Sequence, residues 1–185
     1  NESEKQLLLS KERPIVILKK KQNNSLPNIV APNNNYLGVM LPSTPLQILI
    51  FQTTDIDSLI MTSGNLSGLP LEFENKKAID NLGQFCDFFL MNNRDIFLPL
   101  DDSIIKCTTY ENMIIRRGRG YAPLPLLYKD SKEILAVGGD MKNTFAISKG
   151  NYIYQGPHNG ELINYESLER FKSNIAVSYT HLRAH

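Results

Sequence analysis

The chain has 185 residues, 42% hydrophobic, 21% charged and 9% aromatic, a globular composition that can bury a core and does not read as disordered. Twenty Lys and Arg against nineteen Asp and Glu leave a formal charge of +1, which excludes a global basic field for a nucleic-acid backbone or an anionic membrane; any polyanion site must be local. The longest apolar runs, such as PLPLL at 123–127, fall well short of the roughly 18 residues of a membrane span, and Cys86 and Cys107 form neither a CxxC pair nor part of a Cys/His cluster, which fits a reducing cytoplasm.

The opening NESEKQLLLSKERP lacks the pattern of a secretory signal and reads as the middle of something longer. PIVIL at 14–18 predicts a strand, and a solvated loop rich in Lys, Asn and Pro follows to Asn35. YLGVMLP at 36–42 predicts a second strand. Thr44 then stands as N-cap of a helix over PLQILIF, with Pro45 at its first position. SLIMTS at 58–63 predicts a third strand, running into the turn GNLSGLP and a helix over about 74–82. CDFFLM, IIKCTT and NMIIRR predict three further strands. The stretch 119–133, with its prolines and no period, reads as a linker. After it EILAVGGD, NTFAISKG and NYIYQG predict a β-meander, followed by a helix from about Tyr165. The alternation of strands and helices predicts an α/β fold with a mixed or parallel sheet. VSYTHLRAH shows neither an amphipathic period nor a terminal cap and resembles a translated adapter, so residues 176–185 are expected to be a non-native tail.

Four segments and one histidine are candidates for chemistry. Thr62-Ser63-Gly64-Asn65-Leu66-Ser67-Gly68 follows a predicted strand, where open α/β sheets bind ligands; its hydroxyls and amide can meet phosphate or a base, although such turns also occur without function. Asp101-Asp102-Ser103 can hold Mg²⁺ against nucleotide phosphates or be an ordinary acidic turn. Arg116-Arg117-Gly118-Arg119-Gly120 gathers three guanidinium groups that suit phosphate, RNA or a solvated domain edge. Gly138-Gly139-Asp140-Met141-Lys142-Asn143-Thr144 can wrap phosphates with backbone N–H groups or form a plain hairpin; it lacks P-loop spacing. His158 stands alone, and no metal-ligand set is visible.

Taken in order, RPIVIL, APN, LGVMLPSTPLQ, MTSGNLSGLP, DDSI, IRRGRGYAPLP, GGDMKNTF and HNGELINYESLERF resemble the hydrogenase-maturation carbamoyltransferase family HypF, from about Arg13 to Phe171. Each motif alone is weak, whereas their succession is specific. The resemblance implies a partial YrdC-like carbamoyl-adenylate-forming domain over 1–118, a linker over 119–133, and the start of an actin-like carbamoyl-transfer domain over 134–175. It implies a twisted mixed sheet followed by the first strands of an actin-like ATPase domain.

The resemblance further implies that carbamate from carbamoyl phosphate is condensed with ATP, with Mg²⁺, to carbamoyl adenylate, and that the carbamoyl group passes to the C-terminal cysteine thiol of HypE for cyanide-ligand synthesis. On this resemblance Ser63, Asn65 and Ser67 hold the adenylate with Ser103 beside it, Arg116 contacts the α-phosphate, and Gly138, Gly139, Lys142, Asn143 and Thr144 match the phosphate loop of the second domain; no catalytic residue is assigned. The family's zinc-finger region, its Lys-x-Arg-Pro motif and its metal-binding histidine pair have no match here, so zinc and a second metal belong to missing parts and the segment alone is expected to be inactive. Pro157 stands where the family usually has Gln before the matched His158. Two rivals remain: a threonylcarbamoyl-adenylate synthase of tRNA modification, which has no such second domain, and a double-stranded-RNA module using Lys19 to Lys21 and Arg116 to Arg119.

Overall fold

The computed structural model describes residues 1–21, 26–96, 99–129 and 132–183. Two residues of the expected linker, 130 and 131, and two of the expected tail, 184 and 185, lie outside the described residues. Two compact units form, one from Asn1–Leu59 with Asp102–Tyr121 and the other from Ile60–Asp101 with Ala122–His185.

The first unit is built on a mixed four-stranded sheet in the order β2-β1-β3-β4, with β1 Ile15–Lys19, β2 Tyr36–Val39, β3 Ile104–Cys107 and β4 Asn112–Arg116. The central pair, β1 and β3, is parallel, and both flanking pairs are antiparallel. Val16 and Ile105 are register partners in that central pair and are almost wholly buried, so the core sits on the two β-branched strands whose both edges are hydrogen-bonded. A Cβ at Gly38 would sit 2.9 Å from Ile15 Cγ2, so the small residue in β2 leaves room for the isoleucine beside it. Helix α2, Pro45–Thr53, starts where expected: Gln47 N donates to Thr44 Oγ1 at 3.3 Å and Thr44 N to Gln47 Oε1 at 3.2 Å, a reciprocal capping box. Helix α1, Glu2–Leu9, was not expected from the sequence; its start is capped the same way, with Glu4 N donating to Asn1 Oδ1 at 2.9 Å.

The second unit carries α3 Asn75–Leu82, an antiparallel sheet in the order β5-β8-β7-β6, and the long helix α4 Tyr165–Arg183. Its strands are β5 Leu126–Leu127, β6 Leu135–Ala136, β7 Ala146–Lys149 and β8 Tyr152–Gln155. Phe145 and Ile147 form its buried centre, and the Phe145 ring meets Phe171 of α4 edge-on at 6.1 Å. β5 lies inside the stretch expected to be a linker, where it pairs with β8. Helix α4 does not stop at Ile175 but continues to Arg183, and Lys149 Nζ donates to the carbonyl of Leu182.

Two expected strands do not form. SLIMTS and CDFFLM are irregular, with Ile60 72%, Phe88 93% and Leu90 76% exposed. Their side chains favour extended backbone, but a strand exists only where a neighbouring strand accepts its ladder, and the described residues pair none with either run. No helix among the described residues is long and apolar enough to cross a membrane.

Candidate functional site

The first unit holds the Asp102, Ser103 and Arg116 candidates. Ser103 precedes β3 and is fully buried; its hydroxyl donates to the Arg119 carbonyl at 2.9 Å and accepts from Gly118 N at 2.8 Å, so both roles of the oxygen are engaged in shaping the arginine–glycine turn. Arg116, at the end of β4, donates from Nε to the Asp102 carbonyl at 2.8 Å. Arg119 grips Asp102 Oδ1 through Nε at 2.6 Å and reaches the carbonyls of Glu12 and Arg13 through Nη1 and Nη2 at 3.2 and 2.9 Å. Arg117 donates to the Tyr121 carbonyl at 2.9 Å, with its guanidinium 5.9 Å from the Tyr121 ring. Burial, then the nearby Glu12 carboxylate, pushes the Tyr121 hydroxyl above its ordinary value. The arginine turn, for which the sequence left phosphate, RNA and a solvated edge open, contains a staple: Arg119 joins the 10–14 segment to the turn that follows β4.

The second unit holds the two loops. In residues 63–72 the turn closes on itself: Glu72 N donates to the Gly64 carbonyl at 2.8 Å and Leu69 N to that of Leu66 at 3.0 Å. The Asn65 amide fills the turn, donating to the carbonyls of Leu66 and Leu69, both at 2.9 Å. Ser63 and Ser67 are exposed on its surface, so the hydroxyls face outward while the asparagine holds their backbone.

The 138–144 loop joins β6 to β7. Gly138 has φ +69°, and a Cβ there would lie 2.3 Å from the Thr144 carbonyl oxygen, so only glycine fits; at Gly139 nothing lies within 4 Å. Asn143 is 1% exposed and donates from Nδ2 to the carbonyls of Val137 and Gly139 at 2.9 and 2.7 Å. Its Oδ1 accepts from Asn159 Nδ2 at 3.0 Å, and Asn159 Oδ1 accepts from Asn174 of α4 at 2.8 Å. This relay of three buried amides ties the loop to the helix. Thr144 Oγ1 donates to the Gly156 carbonyl at 3.0 Å, and Lys142, largely exposed, pairs with Glu161 at 3.7 Å.

Among the matched residues, Asn143 faces inward, whereas Gly138, Gly139 and Lys142 are on the surface. Two features went unread in the sequence. His158 Nδ1 lies 3.1 Å from Asp101 Oδ2, both side chains largely buried, and Arg170 of α4 lies 4.9 Å from the Phe73 ring. Neither spacing, 57 and 97 residues apart, leaves a local signal.

A mixed sheet ending in an arginine turn in one unit and, in the other, a closed serine–asparagine–glycine turn and an antiparallel meander with a glycine-bearing loop fit a YrdC-like segment running into the start of a Kae1-like domain. Residues 1–118 match the Sua5/YciO/YrdC family, described as "Telomere recombination", and residues 129–184 match the HypF Kae1-like domain. The chain belongs to the Sua5/YciO/YrdC family, in the branch whose members continue into the HypF Kae1-like domain.

Carbamoyltransferase HypF of Synechocystis is 38% identical over 178 residues, covering 95% of this chain and 23% of that protein. Probable carbamoyltransferase HypF of Methanocaldococcus jannaschii is 36% identical over 171 residues, 91% of this chain and 22% of that protein. Of solved structures, full-length HypF in the phosphate- and nucleotide-bound form superposes with a TM-score of 0.89 at 42% identity, over 95% of this chain and 28% of that one. HypF of T. kodakarensis superposes at 0.90 and 34% identity, over 94% and 23%. The chain therefore spans about a quarter of the length of the relatives it matches.

Proposed function

We propose that the chain is a segment of an ATP-dependent carbamoyltransferase of nickel–iron hydrogenase maturation, acting in the cytoplasm. In this reading an oxygen of carbamate, derived from carbamoyl phosphate, attacks the α-phosphorus of ATP. The bond from that phosphorus to its bridging oxygen breaks, pyrophosphate leaves and carbamoyl adenylate remains. The cysteine thiol at the C-terminus of HypE then attacks the carbamoyl carbon, its proton is lost, and AMP leaves.

The observation that carries the reading is the succession on one chain of a Sua5/YciO/YrdC match and a HypF Kae1-like match. It favours carbamoyl transfer over threonylcarbamoyl-adenylate synthesis, whose stand-alone synthases carry no such second segment. The residues support it chemically. Charge grows on the phosphate oxygens as pyrophosphate departs, and donors held in place beforehand stabilise that charge without reorganising. Ser63 and Ser67 offer hydroxyls from a turn closed by its own backbone. Arg116 is assigned to the α-phosphate, its guanidinium direction set by the Nε bond to Asp102. In the second loop the exposed Gly139 backbone admits a phosphate closely, Lys142 can exchange an exposed ion pair that contributes little for a phosphate oxygen, and Asn143 keeps the loop in shape.

Mg²⁺ accompanies ATP in this chemistry, but the Asp101–Asp102 pair does not fit a ready metal site, because Asp101 meets His158 and Asp102 meets Arg119. No step is assigned to these carboxylates. The test is ATP–pyrophosphate exchange by the full-length protein that carries this segment. Exchange dependent on carbamoyl phosphate is expected; exchange dependent on threonine and bicarbonate instead would overturn the reading. The 185-residue chain alone is expected to show none, and measurable exchange by it would contradict the view that most of the phosphate-binding charge lies elsewhere.

A further inference from the structure

Helix α4 touches both loops of the second unit. On one side Asn174 holds Asn159, which holds Asn143 and with it the carbonyls of Val137 and Gly139. On the other side two residues reach the turn that bears Ser63 and Ser67. Asn164, at the start of the helix, donates from Nδ2 to the Gly68 carbonyl at 2.7 Å. Arg170, less than two turns further on, donates from Nη1 to the Leu71 carbonyl at 3.1 Å and sits 4.9 Å from the Phe73 ring.

The turn is internally rigid, closed by the Glu72–Gly64 backbone bond and filled by Asn65, so holding Gly68 and Leu71 fixes the whole of it. Gly68 and Leu71 fall in the Sua5/YciO/YrdC match, whereas Asn164 and Arg170 fall in the Kae1-like match. We infer that α4 is a shared strut for the two loops and that Arg170 is a positioning residue for the Ser63-bearing turn, so that one element of the transfer module sets the geometry of the activating module.

Placing a guanidinium here has a cost. Burial lowers the Arg170 pKa, opposed by the carboxylates of Asp101 and Glu72, and Nη2 is buried with no hydrogen-bond partner among the described residues. A surface arginine without a positional task would remain in water. Its acceptor is a backbone carbonyl, so the bond constrains backbone position at Leu71 whatever side chain stands there.

The inference uses the proposed adenylation for one of its two readouts, and the other is independent of it. In the full-length protein, Arg170→Ala is expected to speed amide hydrogen exchange across residues 64–73 roughly ten-fold, the factor for losing one charged hydrogen bond. The β1 amides should not change. The same variant is expected to raise the KM for ATP in carbamoyl phosphate-dependent exchange by a similar factor with kcat held within about two-fold, and Arg170→Lys, which keeps a cationic donor, should recover most of both losses. Unchanged exchange across 64–73 overturns the inference whether or not the wild type is active, whereas faster exchange in the variant together with an inactive wild type overturns only the proposed function. An equal loss of kcat and KM effect in the alanine and lysine variants also overturns it. If Arg170→Ala does not fold, Asn164→Ala decides: faster exchange at residues 66–70 upholds the strut, and none refutes it.

Discussion

Replacing Asn143 by aspartate and by alanine separates what its amide gives from what its volume gives. Alanine removes the donors to Val137 and Gly139 and the acceptor of Asn159, though Asn159 keeps its second bond to the Pro157 carbonyl at 3.2 Å. Two carbonyls left short and a small void together cost about 3 kcal/mol. Aspartate keeps the volume and the bond from Asn159, but puts an oxygen where Nδ2 now lies 2.9 and 2.7 Å from two carbonyl oxygens. The ionised form is therefore strongly disfavoured in the fold, and the folded pKa rises above the ordinary value of about 3.9.

A raised folded pKa means stability that is fully present below about pH 3.9 and lost as pH rises toward the folded value. The loss is capped by protonation: about three pH units at about 1.4 kcal/mol each limits it to about 4 kcal/mol at pH 7. The protonated acid can still donate to one carbonyl, leaving a deficit of about 1 kcal/mol at pH 4. Asn143→Asp should thus be more stable than Asn143→Ala at pH 4 and less stable at pH 7. Urea titrations at several pH values, followed by hydrogen exchange of the β7 and β8 amides, would show the two curves cross near pH 5 to 6. Parallel curves would refute the claim that this amide donates inward, as would an aspartate variant equal to wild type at pH 7.

Ser103→Ala leaves the Gly118 N–H and the Arg119 carbonyl without their shared partner and should cost about 1–3 kcal/mol in the first unit, read by hydrogen exchange of β3 and β4; Ser103→Thr tests volume at the same place, since no exposure remains there to absorb a methyl. Gly138→Ala combines a left-handed φ with a contact to backbone, so a loss of about 2 kcal/mol or more is expected in unfolding of the β6–β7 hairpin, whereas an unaffected hairpin would mean that the loop is looser than drawn.

Local signals were legible and partnerships were not. Thr44 and Pro45 announced α2 because an N-cap and a proline at the first helical position are adjacent in the chain, and the structure adds Gln47 as the reciprocal partner of the cap. The β7–β8 hairpin was announced by two apolar runs around Gly150 and Asn151. SLIMTS and CDFFLM carried the same apolar signature as β3, yet β3 lies between β1 and β4 while these runs have no ladder among the described residues. Helix α1 was missed because a polar opening followed by three consecutive leucines, Leu7 to Leu9, offers no clear apolar stripe. At the loops, residue types pointed to the right places but not to their division of labour: Asn143 reads like Lys142 in a string, and only the buried chain through Asn159 and Asn174 shows that one holds the loop and the other faces water.

The two neighbouring glycines of the second loop differ in what they tolerate, and that difference is of practical use. Gly138 is closed to any side chain, but the position beside it opens into free space and has no left-handed backbone. A cysteine introduced at Gly139 would leave the loop's backbone intact, and a bulky label attached to it would cover the spot where we propose that a phosphate approaches, so that covalent blocking and unfolding could be told apart.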